Sequence, residues 1–416
     1  MVEGSTPGLK GLEGYARFWW ASSVSDFGTY ITTLAIQVLI VVDLRGSAAD
    51  VGLVSAARWL PYVMFGLLTG AFIDRVRRRP LLVTADLARA ALLLAIPLLA
   101  LSQMLSVFAL AGFMSVFGLF SLVGDAASQA FLPRLVPPPL LTRANARLDQ
   151  SSSVAQTSGP ALAGGLISLI GAPWAVIVDA VSYLFSGLML LGVGAQEPAA
   201  RPRARGEIGK DIAEGLRWVY GHPTLAPLSV NTHAWFVCWG VAGAVMAPFV
   251  LKSVHMSPLA LGLALSVAGI GGLAGSLMAS QMGARFGVGR TVVACRALTA
   301  VAFGVLALTP DRWSGWPVLA LGQLLLGLAM GAENANEMGF RQAVTPDRLQ
   351  GRVNATVRST NRAMIVFAAP LGGLLADQIG NRATLWIIAA GFAAVALALS
   401  LSRFAAARMD GTPAGL

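Results

Sequence analysis

The chain has 416 residues, of which 56% are hydrophobic and only 12% charged, with 46 glycines. A soluble domain carries about twice that share of charge, and no soluble core buries so much apolar surface, so a lipid bilayer is the implied solvent. The formal charge of +10 at pH 7 does not point to nucleic acid, because the basic residues fall in short clusters between apolar runs, as cytoplasmic loops do.

A helix that crosses a bilayer needs roughly 20 mainly apolar residues. In chain order the sequence predicts twelve, at about 17–42, 51–73, 81–101, 106–131, 149–170, 173–194, 225–251, 258–284, 289–309, 316–340, 353–378 and 383–404. No soluble domain is left over. The first run begins near Phe18 and is long enough to span, so no cleavable signal peptide is expected. The longest internal polar stretch, 195–222, contains a segment from Glu207 to Tyr220 that reads as a short amphipathic helix at the membrane surface. Cys238 and Cys295 both fall within spans and read as small buried residues. No metal site, cofactor motif or Ser/His/Asp spacing stands out, which argues against an enzyme. No Gly-x-x-x-x-Gly-Lys-Ser/Thr loop is present, so ATP is not the expected energy source.

The basic residues alternate between the two sides of the membrane. Arg75, Arg77, Arg78 and Arg79 follow span two, Arg143 and Arg147 precede span five, and Lys210 and Arg217 lie in the long polar stretch, whereas the opposite loops hold Arg45, Lys252, Arg312 and Arg382. That bias places both termini in the cytoplasm. The sequence also repeats. "GAFIDRVRRRPLL" (70–82) aligns with "SLMASQMGARFGVGRTVV" (276–293), so that Gly52 meets Gly262, Arg75 meets Arg285 and Asp86 meets Arg296. "LLTRANARL" (140–148) pairs with "LQGRVNATV" (349–357). The simplest architecture is two six-helix halves, 1–194 and 223–416, joined by a cytoplasmic linker at 195–222.

Three segments carry a family resemblance: "GAFIDRVRRRPLL", "LPRLVPPPLLTRANARL" with its partner "RQAVTPDRLQGRVNA", and "PWAVIVDAVSYLFSGLMLL". Over nearly its whole length the chain resembles the major facilitator superfamily, in particular the efflux branch with macrolide and siderophore exporters and actinobacterial drug exporters. The resemblance implies an all-α integral membrane protein of twelve transmembrane helices in two halves, multi-pass in the cytoplasmic (inner) membrane, with substrate bound between the halves. The first segment matches the superfamily signature Gly-x-x-x-Asp-Arg-x-x-Arg-Arg, and assigns Gly70, Asp74, Arg75, Arg78 and Arg79 to a cytoplasmic gate. Physically, Asp74 would engage an opposing helix N-terminus, where the macrodipole favours negative charge; the start of span eleven, near Arg352, is the expected partner. In the second half Ala284 replaces the Asp. "AQTSGPALAGG" (155–165) resembles the helix-five signature of exporting antiporters, with Gly159, Pro160 and Gly164 in place and Ala155 and Ala163 where glycines stand.

Ionisable residues inside spans are functional hypotheses by default. On span one Asp26, Tyr30, Thr33 and Gln37 form a polar stripe at helical spacing. Arg58 enters span two from the opposite side, and Asp125 and Gln129 lie one turn apart on span four. Span ten carries Glu333 and Glu337, span eleven Arg358 and Arg362. Counted from the cytoplasmic end at about 1.5 Å per residue, Glu337 is level with Arg358 and Glu333 with Arg362, so two carboxylates are expected to face two guanidiniums, as a structural network or a substrate site. Trp235 and Trp239 on span seven are candidates to line a cavity and stack on substrate, or to sit at an interface. His233 and Asp179 read as packing residues. The resulting expectation is a secondary active exporter of small amphipathic compounds, such as drugs or secondary metabolites, working by proton antiport with alternating access, with Asp26 as the coupling carboxylate. The expected partners are a small-molecule substrate, protons and the bilayer, with no nucleic acid, no cofactor, and a monomeric chain. Alternatives are a dedicated siderophore or metabolite exporter, and a lipid-handling or non-transporting membrane sensor.

Overall fold

The computed structural model describes Leu9 and residues 12–73, 76–194 and 207–408. Asp74 and Arg75, the centre of the expected cytoplasmic gate, lie outside the described residues, as does 195–206 of the expected linker. Among the described residues the chain forms thirteen α-helices: α1 (Glu13–Val38), α2 (Ala48–Ile73), α3 (Arg78–Leu101), α4 (Val107–Leu135), α5 (Leu141–Ile170), α6 (Ala172–Leu191), α7 (Glu207–Gly221), α8 (Leu225–Pro248), α9 (Pro258–Phe286), α10 (Val288–Ala307), α11 (Trp316–Ala343), α12 (Asp347–Ile379) and α13 (Asn381–Ser400). Ten of them are long and apolar enough to cross a membrane. Of the rest, α7 is the shortest helix, with 15 residues. The first half of α5, "LTRANARLDQSSSVAQTS", is too polar to qualify.

Each predicted span has its helix, and Glu207 to Tyr220 is helical as expected. The largest boundary differences are at α5 and α12, which begin several residues before their apolar runs. Their first turns are polar and continue the helix beyond the expected span. The backbone itself repeats. α1 ends in a π-turn, Leu39–Asp43, and α8 ends in another, Phe249–Ser253. Positive φ recurs at matching loop positions: Arg45 (52°) and His255 (56°), Gln103 (56°) and Arg312 (63°), Gly171 (85°) and Gly380 (90°).

Packing follows two groups. α1 lies on α5 and α6, α2 on α4, and α3 on α4 and α6; α8 lies on α12 and α13, α10 on α11 and α13, and α9 on α11. Between the groups α2 packs on α12 and α5 on α9. Both contacts are closest at one end of the bundle and are made by glycine. A Cβ on Gly52 would lie 2.3 Å from the Ala369 carbonyl, and one on Gly373 2.3 Å from that of Ala48. Likewise a Cβ on Gly262 would meet the Pro160 carbonyl at 2.2 Å, and one on Gly164 that of Pro258 at 2.7 Å. Only a residue without a side chain lets these backbones touch. The bundle is therefore sealed at the end formed by the α1–α2 and α8–α9 loops.

Candidate functional site

Near the middle of the bundle, between the two groups, charged and aromatic side chains converge. The Tyr62 hydroxyl of α2 donates to Asp125 Oδ2 of α4 at 2.8 Å. The other side of the same ring carries the Arg362 guanidinium of α12 at 4.1 Å, which also lies 5.1 Å from the Trp59 ring. A guanidinium over an aromatic face is attracted by the ring quadrupole. A chain of contacts, Asp125–Tyr62–Arg362, thus runs from one group of helices to the other. On α1, Asp26 has Ser152 of α5 as a hydrogen-bonding neighbour and feels the charge of Asp125. Thr33 accepts from Arg58 at 3.1 Å while donating to the Thr29 carbonyl at 2.7 Å, and Arg58 lies 5.4 Å over Phe117. Tyr30 packs against Gly159, where a Cβ would be 2.7 Å from the Tyr30 Cβ. Gln37 is half-buried on the same helix, and Gln129 is exposed one turn beyond Asp125. The predicted stripe, Arg58 and Asp125 therefore lie around one region; Tyr62, which joins them to α12, was not among the candidates.

The expected pairing of Glu333 and Glu337 with Arg362 and Arg358 does not form. α11 packs on α9 and α10, whereas α12 packs on α2, α8 and α13, so these two consecutive helices do not face one another. The carboxylates turn instead to Arg296 of α10. Its Nε donates to Glu333 Oε1 at 2.9 Å and its Nη2 to Glu337 Oε2 at 3.1 Å and to Thr232 Oγ1 at 2.7 Å; it also donates to Asn231. Arg341 closes the set on Glu337 at 2.7 Å. Arg296 is completely buried. Arg358 is exposed. In the other group the repeat-related Asp86 is also buried, held by Arg89 and by the Ser186 hydroxyl at 2.6 Å. Arg89 lies 4.2 Å over Tyr183. The sequence had aligned Asp86 with Arg296; both are centres of buried charge clusters, with the sign reversed.

Trp235 is buried and stacks on Trp239 at 5.2 Å, with Phe392 edge-on at 5.6 Å. It belongs to the core of its group, and half-buried Trp239 is the ring at the border of that stack. His233 Nδ1 donates to Asn361 Oδ1 at 2.7 Å, leaving Nε2 to accept from the Tyr220 hydroxyl of α7 at 2.9 Å.

Of the expected gate, Gly70 falls in the last turn of α2, and Arg78 is buried at the start of α3. Arg79 donates to the carbonyls of Leu190, at 3.0 Å, and Leu191, so it ties the start of α3 to the end of α6. Arg352 pairs with Glu214 of α7, as does Arg348. Pro160 and Gly164 lie in the contact with α9 at the sealed end, where the Ala161 N–H of α5 donates to Ser266 of α9 at 3.0 Å, while Gly159 packs on Tyr30 of α1.

The arrangement has the form of a helical bundle with a polar, charged interior and one closed end. Solved structures share the helical fold. The nucleoside transporter NupG superimposes with a TM-score of 0.75 at 14% identity, covering 93% of this chain and 98% of that one. A bacterial homologue of the iron transporter ferroportin gives 0.75 at 15%, covering 94% and 98%. Among curated proteins, the multidrug efflux pump Tap of Mycolicibacterium fortuitum is 28% identical over 397 residues, 92% of this chain and 91% of its own length. An uncharacterized MFS-type transporter of Sinorhizobium fredii, y4rN, is 29% identical over 265 residues, 62% of this chain and 64% of its own. The family described as transmembrane secretion effector matches residues 12–413. With its all-helical membrane fold and this match along nearly its whole length, the chain belongs to that family of major facilitator transporters and is not an enzyme.

Proposed function

We propose that this protein is a secondary active exporter of small amphipathic compounds in the bacterial cell membrane. It works by alternating access between two six-helix halves, 1–194 and 223–416, with twelve spans and both termini in the cytoplasm. The observation that carries this reading is the Asp125–Tyr62–Arg362 chain, a polar and aromatic cluster at the junction of α2, α4 and α12. Groups of opposite charge flanking two aromatic rings suit an amphipathic molecule with a flat apolar body and a charged end. Relatedness to the efflux pump Tap supports the outward direction. With the basic loops in the cytoplasm, the sealed end faces outward, so this conformation opens inward.

Protons are the proposed counter-substrate, and Asp26 their carrier. Glu333 and Glu337 are locked by Arg296 and Arg341, whereas among the described residues no ion pair forms at Asp26. A carboxylate without a guanidinium partner is one on which a proton and a cationic compound exchange. The test is proton release from purified protein in weakly buffered detergent solution on addition of a transported dye. Asp26→Asn should abolish the release while retaining dye binding, and Glu333→Gln should keep it. The opposite pattern would move the coupling role to the α11 cluster.

A further inference from the structure

The sealed end holds a contact that joins the two groups of helices by hydrogen bonds to backbone. Asp377, in the last turn of α12, reaches the first turn of α2, 329 positions away in the chain. Ala48 N–H donates to its Oδ1 at 3.0 Å and Ala49 N–H to its Oδ2 at 3.1 Å. The first turn of any helix leaves its N–H groups without intrahelical acceptors. α2 satisfies some of them locally, because Ser47 N–H donates to Asp50 Oδ2 at 2.8 Å and Asp50 N–H to Ser47 Oγ at 3.3 Å, a reciprocal capping box. Two donors remain, and the carboxylate of the opposite group takes both, where the helix dipole also favours it. From α8's terminal turn Lys252 Nζ donates to the Gly46 carbonyl at 2.6 Å, just before the same helix start. Gly373, one turn before Asp377, permits the approach.

We propose that Asp377, assisted by Lys252, is the outer-end lock of the transport cycle, a carboxylate on one half that caps a helix of the other only while that end is closed. The proposal rests on the alternating-access reading above. When the end parts, the carboxylate and the two N–H groups pass to water. The lock therefore biases the two states by the difference between a helix cap and hydration, which shifts an equilibrium roughly fivefold. Asp377 is exposed at its rim, so it re-forms without having to be desolvated deeply.

The test is the distance between spin labels at Met104→Cys and Trp313→Cys, in loops at the sealed end of opposite groups, with Cys238 and Cys295 replaced by alanine and the protein in lipid nanodiscs. Asp377→Ala should raise the ratio of long to short distances about fivefold, and Lys252→Met should act in the same direction. Ala49→Pro removes one donor at a helix position that tolerates proline. It should also favour the long distance, and its effect should not multiply in full with that of Asp377→Ala. An unchanged distribution in Asp377→Ala, or full multiplication of the two effects, would overturn the lock. The same variants assayed for dye export separate the two readings. A shifted distribution in Asp377→Ala together with a wild type that exports nothing leaves the lock standing and removes the exporter, whereas normal wild-type export with an unshifted distribution in Asp377→Ala removes the lock alone.

Discussion

Arg296 shows what a single buried charge commits the molecule to. Its guanidinium holds Asn231, Thr232, Glu333 and Glu337 with no exposure to solvent. Removing one partner of a buried ion pair leaves the other uncompensated, at a cost of about 3–5 kcal/mol. Arg296→Met is therefore expected to lower the thermal unfolding temperature in detergent markedly, and adding Glu333→Gln and Glu337→Gln should recover much of the loss. No recovery would mean that Arg296 acts through packing. At this scale the sequence was partly legible. The Asp26 stripe could be read because helical periodicity is local. The partner of Glu333 could not, because counting depth along two helices says nothing about whether they touch. Tyr62 was hidden for another reason. An aromatic in an apolar run carries no sign of the hydroxyl contact that gives it a role.

α7 is the element that ties the linker to the second half. Its Glu214 pairs with Arg348 and Arg352 at the start of α12, Gly215 nestles against the Arg352 carbonyl, and Tyr220 reaches His233. The two guanidiniums hold the Glu214 carboxyl below its ordinary value of 4.5. A lowered value means that the pairing contributes in full above that ordinary value and fades as pH falls through the lowered one. Proteolytic nicking of α7 should thus be unchanged from neutral pH down to about 5 and increase only in stronger acid, while Glu214→Gln should increase it already at neutral pH, less so in high salt. Equal nicking of both proteins at neutral pH would dismiss the clamp. The existence of α7 was legible from composition, and so were the other helices, because apolar runs bounded by charge are strong signals. Where α5 and α12 begin was less so, since a polar helix turn looks like loop until its neighbours are known.

For the whole molecule, the repeat and the family were legible, and the sealed end was not. It depends on backbones that glycines allow to touch, and on Asp377, a residue in "ADQIG" that reads as an ordinary helix end. Orientation can be checked with an impermeant thiol reagent on intact cells, in protein without Cys238 and Cys295. Single cysteines at Met104 and Ser314 should label, and one at Pro139 should not. Labelling at Pro139 would invert the topology. The α10–α11 cluster has a consequence for energetics across a polarised membrane. Two arginines and two glutamates, Arg296, Arg341, Glu333 and Glu337, leave no net charge at its centre. When that half tilts, the cluster crosses part of the membrane field without electrical work, whereas one unbalanced charge crossing the whole field would meet about 2.3 kcal/mol per 100 mV. Glu333→Gln leaves one positive charge over, and transient currents on a solid-supported membrane should then gain a component absent from the wild type. The four-residue neutrality would make this cluster electrically silent in the cycle, so that the membrane potential acts on the charges outside it, Arg362 and the proton at Asp26 among them.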